Sequence, residues 1–498
     1  MTDKIKVHAG RHFQKYLKNT PWYLLSSLTT KAMGFILLPI FTAYLSVEEF
    51  GTLSTLESLG RILPIFISIY LDSAFNRFYY TERNISENKV RSLFSSHFWF
   101  ISFWGIAVCL LTLALFPYLT SDLPSVTLAT FSVVVFTQLL NQLAIMVTLI
   151  WSANLLAKRL AIFQILMSLI ALFITIYLLV VEHYGWEARI YALGGMALFQ
   201  FLVLLYFAIK NKWLSFHIDF TILSRSLKFS LPLVPNIAAG WIAMFSDRII
   251  LAHFGKLGEV GVYSIAAQVA MLMYVVNDAI TKVQGPIAMS GLVDDKTEAK
   301  KNMSNFVIAY LAFCIAFYLS LVLFSKELLF YFTTVDYFEA YLLVPILGAV
   351  YIFSGIYRVF TNIVSFHNKT WIISVAAFIQ AIVNVAFNFI FIPDFGMYAA
   401  AYSTLFSMIA YTAFIFYSSQ KLDKISLDYK GIFELIVLAF VFLLLIKLLE
   451  NTFEVGTLLL SIKVIALSLI LICTMSLSVS SSFKKDLTHR FRNRSKKS

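Results

Sequence analysis

The chain has 498 residues, 60% of them apolar and 13% charged, with a mean hydropathy of +0.81 and a formal net charge of +12. That much apolar surface exceeds what one soluble core buries, which excludes a soluble globular protein and makes lipid the solvent. The 39 Lys and Arg are scattered through short connections rather than gathered along one stripe, which excludes a nucleic-acid binder and leaves them as topology signals.

Residues 1–21 are polar and hold five Lys or Arg without a small-residue cleavage site, so a cytoplasmic N-terminal segment followed by an uncleaved first span is expected. A bilayer is crossed by about 20 apolar residues. Runs of that kind predict an all-α integral membrane protein of about 14 transmembrane helices. The first six fall near 22–45, 52–79, 92–117, 125–151, 159–181 and 188–209, an N-terminal six-helix bundle over 22–209. A cytoplasmic linker over 210–228 precedes spans near 229–254, 259–281, 303–325, 341–366, 371–392 and 397–418, a C-terminal bundle over 229–418. Two additional spans, 431–449 and 457–478, occupy 419–478, and 479–498 is a basic cytoplasmic tail. Counted over alternate connections from the N-terminus, 29 of the 39 cations share one side, whereas Arg189, Lys256 and Lys326 alone occupy the other. Both termini are therefore expected in the cytoplasm of a bacterium, with the protein in its inner membrane.

No soluble catalytic domain fits in connections this short. Cys109, Cys314 and Cys473 sit in apolar runs without CxxC or Cys/His spacing, and the histidines form no cluster, so neither a disulfide framework nor a metal or cofactor site is expected.

Sliding the chain on itself by 210 to 211 residues aligns Glu49-Phe50-Gly51 with Glu259-Val260-Gly261, Lys158 with Lys369, Tyr184-Gly185 with Phe395-Gly396, Tyr191 with Tyr402 and Lys210 with Lys421. One offset held across six spans predicts two parallel repeats. Such repeats place a substrate cavity between them.

Two segments carry a resemblance. Asp247-Arg248-Ile249-Ile250-Leu251, Gly255 and Gly261-Val262-Tyr263-Ser264 resemble the first hairpin of the second half in polysaccharide-unit flippases, and Pro39 through Gly51 resembles their N-terminal hairpin. The chain is thus similar to the oligosaccharide flippases of the multidrug/oligosaccharidyl-lipid/polysaccharide exporter superfamily. The resemblance implies two six-helix bundles around a central cavity, alternating access, and an oligosaccharide on a polyprenyl pyrophosphate as cargo, moved from the cytoplasmic to the outer leaflet. It also implies membrane lipid and a polysaccharide polymerase with its chain-length machinery as partners, and no covalent chemistry.

Charge inside the membrane costs at least about 2.5 to 3.5 kcal/mol per cation, so buried charges mark candidate sites. In the second span Glu57, Arg61, Pro64, Ser68 and Asp72 follow helical spacing and are expected on one face. At about 1.5 Å per residue Arg61 lies roughly 14 Å deep, and Lys31 reaches a similar depth from the other side. In the tenth span Ser354, Arg358 and Asn362 form a second polar stripe, matched on the fourth by Gln138, Asn141 and Gln142. Lys31, Arg61 and Arg358 are the expected substrate-binding cations, an arginine fork being suited to paired phosphate oxygens. Asp72, Asp247, Arg248, Asp278 and Lys282 are gating or ion-coupling candidates, as Glu57 is for coupling. Lys447 and Lys463, near span ends, are expected to snorkel to the interface.

Two other functions fit less well. A cation-coupled multidrug antiporter calls for an acidic cavity, whereas the mid-membrane residues here lean basic. A membrane polymerase or glycosyltransferase calls for a large loop with clustered carboxylates, which the chain lacks.

Overall fold

The computed structural model describes residues 21–478 except 23, 24, 27, 31 and 453–456; some further side chains, that of Lys282 among them, are also left undescribed. Every element among the described residues is a helix or a turn, and none is a strand.

A helix over 32–44 (α1) ends before Ser46, whose hydroxyl accepts from the Glu49 backbone while the Glu49 carboxylate accepts from the Ser46 N–H. This reciprocal cap satisfies two donors that the helix start would leave unpaired, and it opens α2 (Val47–Gly60). Next come α3 (Leu63–Ser68), α4 (Leu71–Ile85), α5 (Glu87–Ala114) and α6 (Phe116–Leu119). They are followed by α7 (Leu128–Ala153), α8 (Ala157–Ile176), which runs into a π-helical turn, and α9 (Glu187–Lys210). Ser86, Thr127 and Asp219 cap α5, α7 and α10 (Phe220–Ser230) one way, Ser86 and Thr127 each accepting one backbone N–H with the side chain and Asp219 two. The chain continues through α11 (Val234–His253), α12 (Leu257–Asp294), α13 (Lys296–Phe332), α14 (Val344–Phe366), α15 (Trp371–Leu422), α16 (Tyr429–Thr452) and α17 (Thr457–Ser478).

Among the described residues ten helices are long and apolar enough to cross a membrane, or eleven when the bent pair Val47–Ser68 and Leu71–Ile85 counts as one span. The difference from the fourteen expected spans has local causes. The eleventh and twelfth expected spans join in the 52-residue α15, which is interrupted only at Gly396 (φ 54°, ψ −133°). The first and last expected spans are shorter as described, Leu28–Tyr44 and Ser461–Thr474.

The chain forms two compact units that divide after Gly261. In the first, α5 packs on α7 and α7 on α9, and the segment expected as linker supplies α10, which lies against α4 and α5. Helix α11 packs on α2 and α3 in the same unit. In the second, α13, α14 and α15 pack in sequence, and α16 and α17 lie on α13.

The repeat has local counterparts in the structure. Gly185 and Gly396, aligned by the 211-residue offset, both take left-handed backbone (φ 59° and 54°), a conformation that a β-carbon disfavours. Lys89 at the start of α5 pairs with Asp219 after α9 at 3.7 Å, and Lys300, 211 residues later at the start of α13, pairs with Asp423 after α15. Asp423 also meets Lys296 and, at 3.4 Å, His367. Burial alone would raise the Asp423 carboxyl, but the hydrogen bonds from Lys296, Lys300 and His367 outweigh it and hold the group below the usual carboxylate range.

Candidate functional site

In the first unit the charged residues gather at the C-terminal end of α2. The helix stops at Arg61, whose N–H still donates to the Glu57 carbonyl at 3.0 Å. The Glu57 carboxylate lies 3.5 Å from the Arg61 guanidinium through one oxygen and 3.7 Å from Arg189 through the other. The Arg61 guanidinium stands 5.3 Å from the centre of the Phe245 ring on α11, and Arg248 lies 5.9 Å from the same ring. Arg61 is thus the common member of two pairs, sharing a carboxylate with Arg189 and an aromatic ring with Arg248. The Arg61 side chain is 56% exposed, leaving donors open to a further ligand. Gln138 on α7 is nearby: a β-carbon on Gly60 would lie 3.4 Å from its Nε2. Farther along α7, Asn141 is half-buried and Gln142 buried.

Arg189 is the member that sequence reasoning missed. It was counted as a connection residue because it opens an apolar run, yet it lies at the start of α9 and turns in to Glu57, with a further contact of 3.5 Å to Thr175. Its isolation among connections otherwise poor in cations was the available signal.

The expected single face of the second span does not survive in the structure. The helix breaks after Gly60 and again at Ile69 and Tyr70, both left-handed (φ 48° and 59°), with a 41° bend. Helical spacing therefore stops relating Arg61 to Ser68 and Asp72. Ser68 serves the break: its hydroxyl donates to the Pro64 carbonyl at 2.9 Å and accepts from the Tyr70 N–H at 3.2 Å. Asp72 begins α4 with its Oδ1 buried and without a hydrogen-bond partner among the described residues. Asp247 is buried within α11. Lys31 and the Lys282 side chain lie outside the described residues.

In the second unit Arg358 on α14 faces α12. Its guanidinium lies 3.2 Å from the Thr281 hydroxyl, 3.8 Å from the Asp278 carboxylate and 5.8 Å from the centre of the Tyr274 ring. It is 28% exposed. One turn away, Asn277 is fully buried and saturated. Its amide donates to the Tyr351 carbonyl and to Ser354 Oγ, while its oxygen accepts from Tyr310 at 2.7 Å and Cys314 at 3.3 Å. Asn362 donates to Gln284 at 2.9 Å. Ser354 and Asn362, expected as cavity residues, spend these bonds joining α14 to α12. That leaves Arg358 as the residue of the stripe with a charge to offer.

Against known proteins, the family described as polysaccharide biosynthesis protein matches residues 16–292, more than half of the chain. The chain belongs to this family. This polysaccharide biosynthesis family member is 25% identical over 292 residues to a protein of the Lsg locus of Haemophilus influenzae, covering 57% of this chain and 68% of that one. An uncharacterized membrane protein of the same organism is 35% identical over 74 residues, 15% of this chain and 18% of its own. Among solved structures the family member shares the fold of the lipid II flippase MurJ in an inward closed conformation, with TM-score 0.73 and 15% identity over 93% of this chain and 98% of that one. It also shares the fold of an inward-facing multidrug resistance MATE transporter of the MOP superfamily, with TM-score 0.61 and 14% identity over 80% and 96%. The resemblance drawn from the two hairpin segments is borne out: the protein is a multi-pass membrane protein of polysaccharide-synthesis type with the fold of these transporters.

Proposed function

We propose that the protein is a flippase that carries a polyprenyl-pyrophosphate-linked oligosaccharide from the cytoplasmic to the outer leaflet by alternating access, for synthesis of a surface polysaccharide such as O-antigen, capsule or exopolysaccharide. Arg61 and Lys31 in the first unit, and Arg358 in the second, are the cations assigned to pyrophosphate oxygens, each within its own unit, while the polyprenyl tail stays in lipid. Gln138, Asn141 and Gln142 replace water around the sugars. Asp72, Asp247, Arg248, Asp278 and Lys282 gate or couple the cycle, and both termini face the cytoplasm.

The observation that carries this reading is the excess of guanidinium at the end of α2, where Arg61 and Arg189 share the single carboxylate of Glu57 and Arg61 and Arg248 share the Phe245 ring. Low dielectric strengthens each charge-assisted bond such a cluster makes to a phosphate. A multidrug antiporter selecting cations would repel its cargo at this place. The test is to delete the gene and follow lipid-linked saccharide, then complement with Arg61 and Arg358 variants. Saccharide should build up on the inner leaflet in the deletion. Normal flipping by correctly inserted alanine variants would reject the assignment, and transport of cationic drugs in place of saccharide would establish the antiporter.

A further inference from the structure

Three cations drawn in among the helices meet a carboxylate. Arg189 turns in to Glu57, Arg358 sits with Asp278, and Lys463, expected to snorkel, is buried and turns inward to Glu327 at 2.8 Å instead of reaching the interface. Arg77 on α4 differs from them: among the described residues its guanidinium makes no hydrogen bond and no ion pair, and two rings hold it instead. Its Cζ stands 4.4 Å from the centre of the Phe229 ring on α10 and 5.7 Å from that of Phe78. Phe78 meets Phe229 edge-on at 5.9 Å and carries the Arg225 guanidinium at 4.4 Å. Arg225 is ion-paired with buried Glu82. Two guanidinium groups and two rings thus interleave where α4 packs on α10, with one carboxylate among them. Arg77 is exposed and lies within the bent span, about 12 Å from the C-terminal end of α4.

An unpaired cation beside hydrocarbon is unfavourable, and aromatic faces offset only part of that cost. What the rings do fix is its plane. A guanidinium with one face on a ring still presents its N–H edge, the edge that fits paired phosphate oxygens. The surroundings bring phosphate within reach: by helical spacing the face of α10 opposite Phe229 is apolar, with Phe220, Leu223, Leu227 and Leu231 lining a groove and Phe220 and Leu231 exposed, as in a helix that lies in the headgroup region. We propose that Arg77 and Arg225 bind the phosphate of an anionic glycerophospholipid at the junction of α4 and α10. Arg77, Arg225 and Glu82 sum to one positive charge, which matches a singly charged phosphodiester better than the pyrophosphate of the proposed cargo. A zwitterionic lipid would need a carboxylate for its ammonium, and Glu82 is buried and engaged by Arg225. An acidic peptide would have to lie in lipid beside the apolar face of α10. Arg83 near the end of α4 and Lys228 on the rim of the groove add to the attraction for an anionic headgroup. The site does not depend on which cargo the protein carries.

The full-length protein, delipidated in detergent, is titrated with phosphatidylglycerol or phosphatidylethanolamine, and the lipid-bound species are counted by native mass spectrometry. The first phosphatidylglycerol should bind about tenfold or more tightly than the first phosphatidylethanolamine. R77Q should bring the two to the same affinity without moving the melting temperature, since the side chain is exposed. R77K keeps the charge, gives up the planar stack, and should fall between. F229L removes a ring and no charge, and should weaken phosphatidylglycerol alone. K369Q, which removes one exposed lysine from the second unit, should leave the preference intact. Equal affinity for the two lipids in the unmodified protein overturns the proposal, as does an unchanged preference in R77Q or an equal loss in K369Q. Displacement of phosphatidylglycerol by equimolar inorganic phosphate would assign the site to a free anion, and tighter R77-dependent retention of a polyprenyl pyrophosphate would assign it to the cargo; either result overturns the phospholipid.

Discussion

Gly51 and Gly261 occupy reciprocal positions: a β-carbon on Gly51 would collide with the Leu257 carbonyl, and one on Gly261 would collide with the Val47 carbonyl. Both glycines and both carbonyl residues are separated by 210 positions, the offset of the repeat, so the contact is of the isologous kind seen at two-fold axes. Backbone cannot yield as a flexible side chain does. Gly51→Ala and Gly261→Ala should each destabilise by about 1 to 3 kcal/mol or more, as overpacking does, whereas Gly195→Ala, with nothing within 4 Å of its β-carbon, should be neutral or slightly stabilising. Thermal unfolding in detergent measures all three.

Removing a guanidinium from the candidate site should be felt in transport rather than in folding, because Arg61 is more than half exposed. Arg61→Ala and Arg358→Ala each forfeit charge-assisted bonds worth about 1.5 to 3 kcal/mol, on the order of ten- to a hundredfold in flipping rate. Arg→Lys variants keep the charge and lose the fork, and should retain an intermediate rate. Arg189→Ala should resemble Arg61→Ala, since both share Glu57. The readout is outward appearance of labelled lipid-linked saccharide in vesicles.

Tyr310 and Gly355 form a lock-and-key pair in the second unit, the tyrosine hydroxyl occupying the space where a Gly355 side chain would stand. Gly355→Ala should destabilise by about 1 to 3 kcal/mol. Tyr310→Phe would leave the ring carbons in collision, whereas Tyr310→Ala clears the space, so the double variant with Tyr310→Ala should recover part of the loss despite leaving the Asn277 oxygen with only the Cys314 thiol. A double-mutant cycle on melting temperature gives the coupling; strict additivity would contradict the contact.

Asp423 ties the start of α13 and the end of α14 to the end of α15, and its carboxyl is held below the usual range. A depressed folded-state carboxyl stabilises the fold above its unfolded-state value, and that stability is lost as pH falls through the folded-state value. The melting temperature should therefore drop on acidification below the ordinary carboxylate range. Asp423→Asn should flatten that part of the profile and cost about 1 to 3 kcal/mol at neutral pH. An unchanged slope in the variant would show that other carboxylates dominate.

The membrane class, the helical content and the family were legible because they rest on hydropathy and on short motifs that survive in a single line of sequence. The 211-residue offset pairs Gly185 with Gly396, and both take positive φ, a backbone that admits few other residues. The polar stripes were only half legible. Periodicity carried the reasoning through Glu57, Arg61, Ser68 and Asp72 as if one helix ran on, and no residue pattern announced left-handed Ile69 and Tyr70, which tertiary packing imposes on residues that avoid that backbone. On α14 the stripe is real, but periodicity cannot say which of its members the neighbouring helix consumes.

By itself the sequence determined that this chain lives in lipid, that it is helical, and that it belongs to a polysaccharide-synthesis family. These are sums over many residues or near-neighbour rules, and they need no partner to be known. Only the tertiary structure decided who meets whom: Arg189 turning in to Glu57, Ser354 claimed by Asn277, and Lys463 drawn from the interface to Glu327. A charge in a membrane is settled by the opposite charge or donor that reaches it, and for Lys463 that partner lies on another helix, 136 residues away along the chain.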